Sequence, residues 1–214
     1  MIRVVLVDDH TLILRGLREL LADSPGLEVV GEATDYGSLR SLLREMPKKG
    51  LPDVVVLDIN LPGRSGLEAL ATLAETHPQV RALVLSQYAE EQYGLRALKA
   101  GAMGYLNKAC EPARIVQAIR DIAAGRRYVT DALSQLLLTE IGGARAVHAH
   151  EALSEREMQV MLAIAQGARL SAIAAALTLS PKTVSVYRAR VLEKLGVGGN
   201  AEIASYALRH RLIE

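Results

Sequence analysis

Along the first 125 residues, short unbroken apolar runs alternate with longer segments whose apolar residues return every three or four positions. The short runs are rich in β-branched residues and predict strands at 3–7, 28–33, 54–57, 80–85 and 104–106. The periodic segments predict helices near 11–22, 36–46, 66–76, 90–100 and 111–124. Val54-Val55-Val56-Leu57 has no polar alternation, so that strand should be covered on both faces, as in the middle of a parallel sheet. Five βα units in succession predict a doubly wound α/β fold, and right-handed crossovers favour the strand order 2-1-3-4-5.

After Gly125-Arg126-Arg127 this rhythm stops. One short helix is predicted at 131–141, with Leu133, Leu136 and Leu137 along one side. Gly142, Gly143, Ala144 and the stretch to Ala152 carry no periodicity and predict a flexible tether, on which His148 and His150 read as solvated loop residues. From Leu153 the pattern is helical throughout. Ser154 and Glu157 are spaced as a capping box, and Gly167 marks the end of that helix. Leu170, Ile173, Ala174 and Leu177 give a short second helix, and Thr178-Leu179-Ser180 a three-residue turn. Pro181 opens a third helix that Leu195-Gly196 closes, and Asn200 caps a fourth running to about Arg211. The predicted division is a domain at 1–125, a linker with one short helix at 126–152, and a small all-α domain at 153–214.

Composition changes this picture little. Without Phe or Trp the cores must be aliphatic, and the single Cys110 excludes an internal disulfide and suits a reducing compartment. The chain opens directly on a strand instead of a signal peptide, and no apolar span is long enough for a bilayer, so a soluble cytoplasmic protein is expected. Charge is more informative. Residues 1–128 carry 16 basic and 16 acidic side chains, whereas 153–214 carry 8 and 5, a mildly basic balance compatible with nucleic acid.

The residues that follow each strand carry the chemistry. Asp8 and Asp9 follow the first, Asp58 the third, Ser86 the fourth and Lys108 the fifth, all on the same edge of the sheet, where open α/β folds bind ligands. Crowded carboxylates repel one another unless a cation joins them, and oxygen-only ligands suit Mg²⁺. A hydroxyl and an ammonium alongside make a place for a phosphoryl group, which a carboxylate can itself accept as nucleophile. Taken singly, each of these residues is explained as a helix cap or a solvated charge; five together at four strand ends are not.

On the third helix of the all-α segment, Val184, Val191 and Leu195 fall on one side with Tyr187 near its edge. Lys182, Val186, Ala189, Arg190 and Glu193 fall on the other, with Ser185 on the flank. Lys and Arg reach phosphates or guanine edges, and small apolar residues suit thymine methyls, so the turn and this helix predict a DNA-reading helix-turn-helix. The plainer alternative is a four-helix packing module with a basic outer face.

Val7-Asp8-Asp9-His10, Leu57-Asp58-Ile59-Asn60-Leu61-Pro62, Ser86 and Gly101-Ala102-Met103-Gly104-Tyr105-Leu106-Asn107-Lys108 resemble the motifs of two-component receiver domains. That resemblance implies a flavodoxin-like fold with Asp58 as phosphoacceptor. It implies that Asp9, Asp58 and the backbone carbonyl of Asn60 hold Mg²⁺, with Asp8 in support. Lys108 would pair with phosphoryl oxygens, Ser86 would swing toward them, and Tyr105 would turn inward behind it. Ala109 stands where many receivers have proline, which disfavours a cis peptide there, since a non-proline cis bond costs roughly 3 kcal/mol. Aspartyl-phosphate hydrolases of similar architecture need a second Asp two residues after the nucleophile; here that residue is Asn60, which cannot shuttle a proton. No enzyme turnover is expected beyond accepting phosphate and slow self-dephosphorylation.

Residues 153–212 resemble the LuxR-type helix-turn-helix, through Leu153-Ser154-Glu155-Arg156-Glu157, Ser180-Pro181-Lys182-Thr183-Val184 and Val191-Leu192-Glu193-Lys194-Leu195-Gly196-Val197. By that resemblance Ser185, Val186 and Ala189 face bases. Lys182, Thr183, Tyr187, Arg190 and Lys194 contact or approach phosphate, and the last helix makes a dimer. Together the two resemblances point to the NarL/FixJ class of response regulators. They imply a sensor histidine kinase as donor and a homodimer on double-stranded promoter DNA, with no membrane partner. A phosphorelay intermediate or protein-binding switch without DNA affinity is the competing reading; binding of duplex DNA by segment 150–214 separates the two.

Overall fold

A computed structural model describes residues 1–47, 50–62, 66–141, 148–210 and 212–213. The chain divides into two compact units, Met1–Ile141 and Gly142–Glu214.

In the first unit, β1 (Ile2–Val7), β2 (Leu27–Ala33), β3 (Val54–Leu57), β4 (Arg81–Ser86) and β5 (Gly104–Asn107) form one sheet. Every neighbouring pair is parallel and the order is β2-β1-β3-β4-β5, as the sequence predicts. All four residues of β3 are buried, which explains its lack of alternation. The helices α1 (Thr11–Ala22), α2 (Tyr36–Glu45), α3 (Gly66–Thr76), α4 (Glu90–Lys99) and α5 (Pro112–Ala123) fall within about a turn of their predicted limits. Leu14, Leu17 and Leu21 of α1 and Ile115, Ala118, Ile119 and Ile122 of α5 pack on one side of the sheet, against Val4, Leu6, Val54 and Val56. Register aligns the strand ends: Val7 lies opposite Leu57, Leu57 opposite Val84, and Ser86 opposite Asn107. The turn closed by Val80 N–H on the His77 carbonyl starts β4 one residue late, and Ser86, paired with Asn107, ends the strand instead of following it.

A sixth helix, α6 (Asp131–Ile141), lies at its predicted place but does not belong to a free linker. Tyr128 donates its N–H to the Met103 carbonyl and bridges to Gly104, carrying the chain past the edge of β5. α6 then packs on α4, where Leu133 is fully buried while Leu138 on the outer side is exposed. Burying a leucine stabilises by roughly 2 kcal/mol, a gain that a solvated tether forgoes.

In the second unit, α7 (Glu155–Ala165), α8 (Leu170–Ala176), α9 (Pro181–Leu195) and α10 (Asn200–Arg209) pack around Met158, Met161, Leu162, Ile173, Val184, Val191, Leu195, Ile203 and Ala207. The Ser154–Glu157 capping box forms as predicted, and Ser180 accepts from Thr183 N–H ahead of Pro181. Gly167 and Gly196 take the left-handed conformation that ends α7 and α9. Thr178 in the turn between α8 and α9 is also left-handed, at φ 55°, which a β-branched residue adopts only under strain. Three expectations change. Gly199, not Asn200, stands at the N-cap of α10, and the Asn200 side chain accepts instead from Arg188 Nε at 2.6 Å. Ala149–Ala152 forms a 3₁₀ turn capped by His148 and Glu151. His150 is buried with its backbone N and Nδ1 3.2 and 3.0 Å from the Tyr206 hydroxyl, so it is a packed residue, not a solvated one. Residues 142–147 of the expected tether lie outside the described residues, and α10 ends at Arg209, two residues before the predicted end.

Candidate functional site

Parallel strands that stop in register bring their following residues together. Asp8 and Asp58 are each 2% exposed, because the helices on both faces leave water only a narrow approach to the sheet edge. Asp58 N–H donates to the Val7 carbonyl at 2.9 Å, continuing the β1–β3 ladder by one step and fixing the carboxylate beside Asp8. Asn60 N–H donates to Asp58 Oδ1 at 3.1 Å, while Lys108 Nζ sits 2.7 Å from Asp58 Oδ2 and 2.6 Å from Asp8 Oδ2. Gly66 closes the loop after Asp58 by donating to the Ile59 carbonyl. A Cβ there would stand 2.3 Å from Ile59 Cα, so only glycine fits.

Burial pushes the Asp58 carboxyl up, more than the neighbouring Lys108 ammonium pulls it down. Burial also works against the Lys108 ammonium, but Asp58 and Asp8 outweigh it and hold its pKa above the usual lysine range. Lys108 is therefore a fixed cation at the centre of the site. Asp8, Asp9 and Asp58 nonetheless outnumber it, and this surplus of negative charge is what a divalent cation would neutralise. Ligand atoms of Asp8, Asp9, His10 and Asp58 lie within 4.8 Å of one another, so the donor set fits such an ion.

Ser86 is fully buried, its hydroxyl accepting from Tyr88 N–H, and its carbonyl accepts from Lys108 N–H at 2.7 Å. Tyr105 points inward with no exposure, contacts Ser86, and donates its hydroxyl to the Tyr88 carbonyl at 2.8 Å. Burial pushes its phenol far above the usual range, so it stays a donor. The Lys108–Ala109 peptide is trans. Sequence reasoning missed two members. His10 Nδ1 lies 2.8 Å from Asp9 Oδ1 and 3.1 Å from Asp8 Oδ1, as its place directly after the two carboxylates allowed one to expect. Asn107 Nδ2 donates to the Gln87 and Tyr88 carbonyls, tying the end of β5 to the loop after β4.

In the second unit, the predicted reading face of α9 is open. Lys182, Ser185, Val186, Ala189 and Arg190 are exposed, with Val186 46% exposed despite being apolar. Lys182 and Arg190 make no ion pair with any described residue. Thr183 and Tyr187 are half-buried, and Thr183 Oγ1 is bonded to Ser180 Oγ at 2.8 Å. Lys194 does not join this face as a free cation. Its ammonium is 2.6 Å from Glu157 Oε2 and 3.1 Å from the Ala152 carbonyl, so it ties α9 to the start of α7 while remaining exposed. Among the described residues, no helix is long and apolar enough to cross a membrane.

Residues 4–120 match the model of the response regulator receiver domain, and residues 151–207 that of the bacterial regulatory proteins of the luxR family. Response regulator GacA of Pseudomonas aeruginosa is 39% identical over all of this chain and 99% of its own length. The crystal structure of a LuxR-family two-component response regulator from Aurantimonas sp. is 38% identical over 65% of this chain and 97% of that one, with TM-score 0.58. A structure of RcsB from Salmonella enterica serovar Typhimurium bound to promoter rprA in the presence of phosphomimetic BeF₃⁻ is 24% identical and shares the fold, covering 96% of this chain and 97% of its own at TM-score 0.64.

Proposed function

The chain belongs to the NarL/FixJ class of two-component response regulators, transcription factors that join a receiver to a LuxR-type DNA-binding domain, and on that premise we propose that Asp58 is its phosphoacceptor. The observation that carries this reading is a nearly buried carboxylate at the end of the central strand, with Lys108 Nζ 2.7 Å from one oxygen. One Asp58 oxygen attacks the phosphorus of a sensor kinase's phosphohistidine; the O–P bond forms, the P–N bond breaks, and the imidazole leaves with a proton. Mg²⁺, held by Asp9, Asp58 and the Asn60 carbonyl with Asp8 in support, would supply neutralisation of the phosphoryl oxygens. Lys108 then turns from the carboxylates to the new oxygens, and Ser86 donates to another, drawing Tyr105 and the Tyr88 loop with it.

The output is DNA binding by the open face of α9, with Lys182 and Arg190 on phosphates and Ser185, Val186 and Ala189 toward base edges. A homodimer through α10 on promoter DNA, in the cytoplasm, completes the reading. Asn60 in place of a proton-shuttling carboxylate leaves the protein no turnover beyond slow loss of its own phosphate.

Incubation of the full chain with Mg²⁺ and a small phosphodonor should give one base-labile acyl phosphate and raise affinity for promoter DNA at least tenfold. Asp58→Asn should abolish both effects. Normal labelling of that variant overturns the assignment, and labelling without any gain in DNA affinity favours a relay or protein-binding role.

A further inference from the structure

α6 is covered on one side by α4, and the contact is built on both partners. Leu133 has no exposure, and it occupies the notch left by the missing side chain of Gly94: a Cβ at Gly94 would meet Leu133 Cδ1 at 2.7 Å. A second contact lies one turn earlier on each helix. The Thr130 hydroxyl donates to the Glu90 carboxylate at the start of α4, and Leu133 N–H in turn donates to Thr130 Oγ1. Glu90 is therefore held from the α6 side, and the residues just before it are held from the β5 side. Tyr105 and Asn107 both bond the Tyr88 carbonyl, and Tyr88 N–H bonds Ser86. An unbroken run of contacts leads from Ser86 through Tyr88 and Glu90 to Thr130 and α6.

We propose that the Gly94 face of α4 is a docking surface whose occupant is the chain's own α6, and that phosphorylation of Asp58 releases it. This rests on the phosphoacceptor reading above. When Ser86 moves to a phosphoryl oxygen, the loop through Tyr88 must follow, because two β5 side chains and the Ser86 hydroxyl all bond it. Glu90 stands two residues further on and cannot keep its hold on Thr130 once that loop shifts. Leu133 is the only fully buried side chain of α6 among its described residues, with Leu136 and Leu137 half-buried, so loss of the Thr130 contact leaves a helix seated by few apolar groups. Release converts a docked helix into added length of chain between the sheet and the DNA-binding unit.

Hydrogen exchange of the full-length protein, read by mass spectrometry, tests this. With Mg²⁺ and phosphodonor, amides of residues 133–138 should exchange at least tenfold faster while β1 and β3 stay protected. Unchanged exchange in 133–138 on a chain whose intact mass shows the phosphate overturns the release. If no phosphate is taken up, it is the Asp58 reading that has failed, and the seat is tested alone. Thr130→Val and Leu133→Ala should each bring the tenfold rise without phosphate and with the strands still protected. Wild-type exchange in both variants overturns the docking surface itself.

Discussion

At the carboxyl edge of the sheet, Asp8 and Asp58 are each 2% exposed and Lys108 lies against both, whereas on α9 Lys182 and Arg190 stand in solvent without a described ionic partner. The same chemical groups do opposite work because their surroundings differ. Buried charges feel little screening and must be matched atom by atom, so they select a small, multiply charged ligand of fixed geometry. Exposed charges are cheap to maintain but non-selective; they suit a polyanion whose affinity comes from counterion release, and in the proposed reading specificity comes from the small neighbours Ser185, Val186 and Ala189. Lys194 is the instructive intermediate: a cation on α9 that stays exposed yet pairs with the buried Glu157 carboxylate.

The contrast is most sharply broken at Gly66. In Gly66→Ala the new methyl meets backbone at Ile59 Cα and the Asp58 carbonyl, which cannot move without moving the Asp58 carboxylate. The first unit should lose about 3 kcal/mol of stability and most of its acyl-phosphate labelling, while the second unit's thermal transition is unchanged. Unchanged labelling would show that the Asp58 geometry tolerates displacement, and the distinction between a built and an open site would weaken.

Two lysines on one helix sharpen it further. Lys194→Ala leaves Glu157 buried without its ammonium and should cost the second unit about 1–2 kcal/mol, the partial exposure of Lys194 lowering the usual figure. The salt slope of DNA binding by phosphorylated protein should not change. Lys182→Ala should do the reverse, leaving stability intact and lowering that slope by about one unit. A pH series in denaturant gives an independent check. Burial raises the Glu157 carboxyl, but Lys194 and Ser154 outweigh it, and the folded pKa lies below the ordinary glutamate value of 4.5. The unfolded state thus binds the proton more readily, so this contribution is complete above pH 4.5 and fades as pH falls through the lower folded value. Lys194→Ala should flatten that fall; an unaltered pH profile would deny the pairing.

The smallest effect is expected in the turn before α9. Thr178 pays for a left-handed conformation that glycine adopts freely, so Thr178→Gly should stabilise the second unit by about 1 kcal/mol in a thermal melt, with the DNA salt slope unchanged. Destabilisation instead would mean that the threonine side chain holds the turn.

Most of the sheet was legible because buried parallel strands write themselves as apolar runs, and the strand order follows once the crossovers are right-handed. The candidate site was legible for the same reason: Asp8, Asp58, Ser86 and Lys108 each stand at or just beyond a strand end. What the residues did not disclose are contacts between elements far apart in sequence. Nothing around Leu133 indicates that Gly94 leaves room for it, and Lys194 looks like any other helix-surface cation until Glu157 is placed beside it. The packing of His150 is invisible in the same way, because a histidine in a patternless stretch gives no sign of the Tyr206 hydroxyl that meets it. The Asn200 error was local, a polar residue one position inside the helix it was expected to cap.

The aliphatic composition gives this molecule an unusual optical character. There is no tryptophan, and of seven tyrosines three gather at one place: Tyr105 bonds the Tyr88 carbonyl, and the Tyr88 and Tyr93 rings lie 4.8 Å apart. Tyr93 and Tyr105 are both shut away from solvent. Near-ultraviolet circular dichroism arises from aromatic rings held in asymmetric, rigid surroundings, and here no indole band overlies the phenol signal. The chain therefore carries its own chromophores beside Ser86, and a rearrangement there can be followed by light in the native sequence, without a dye.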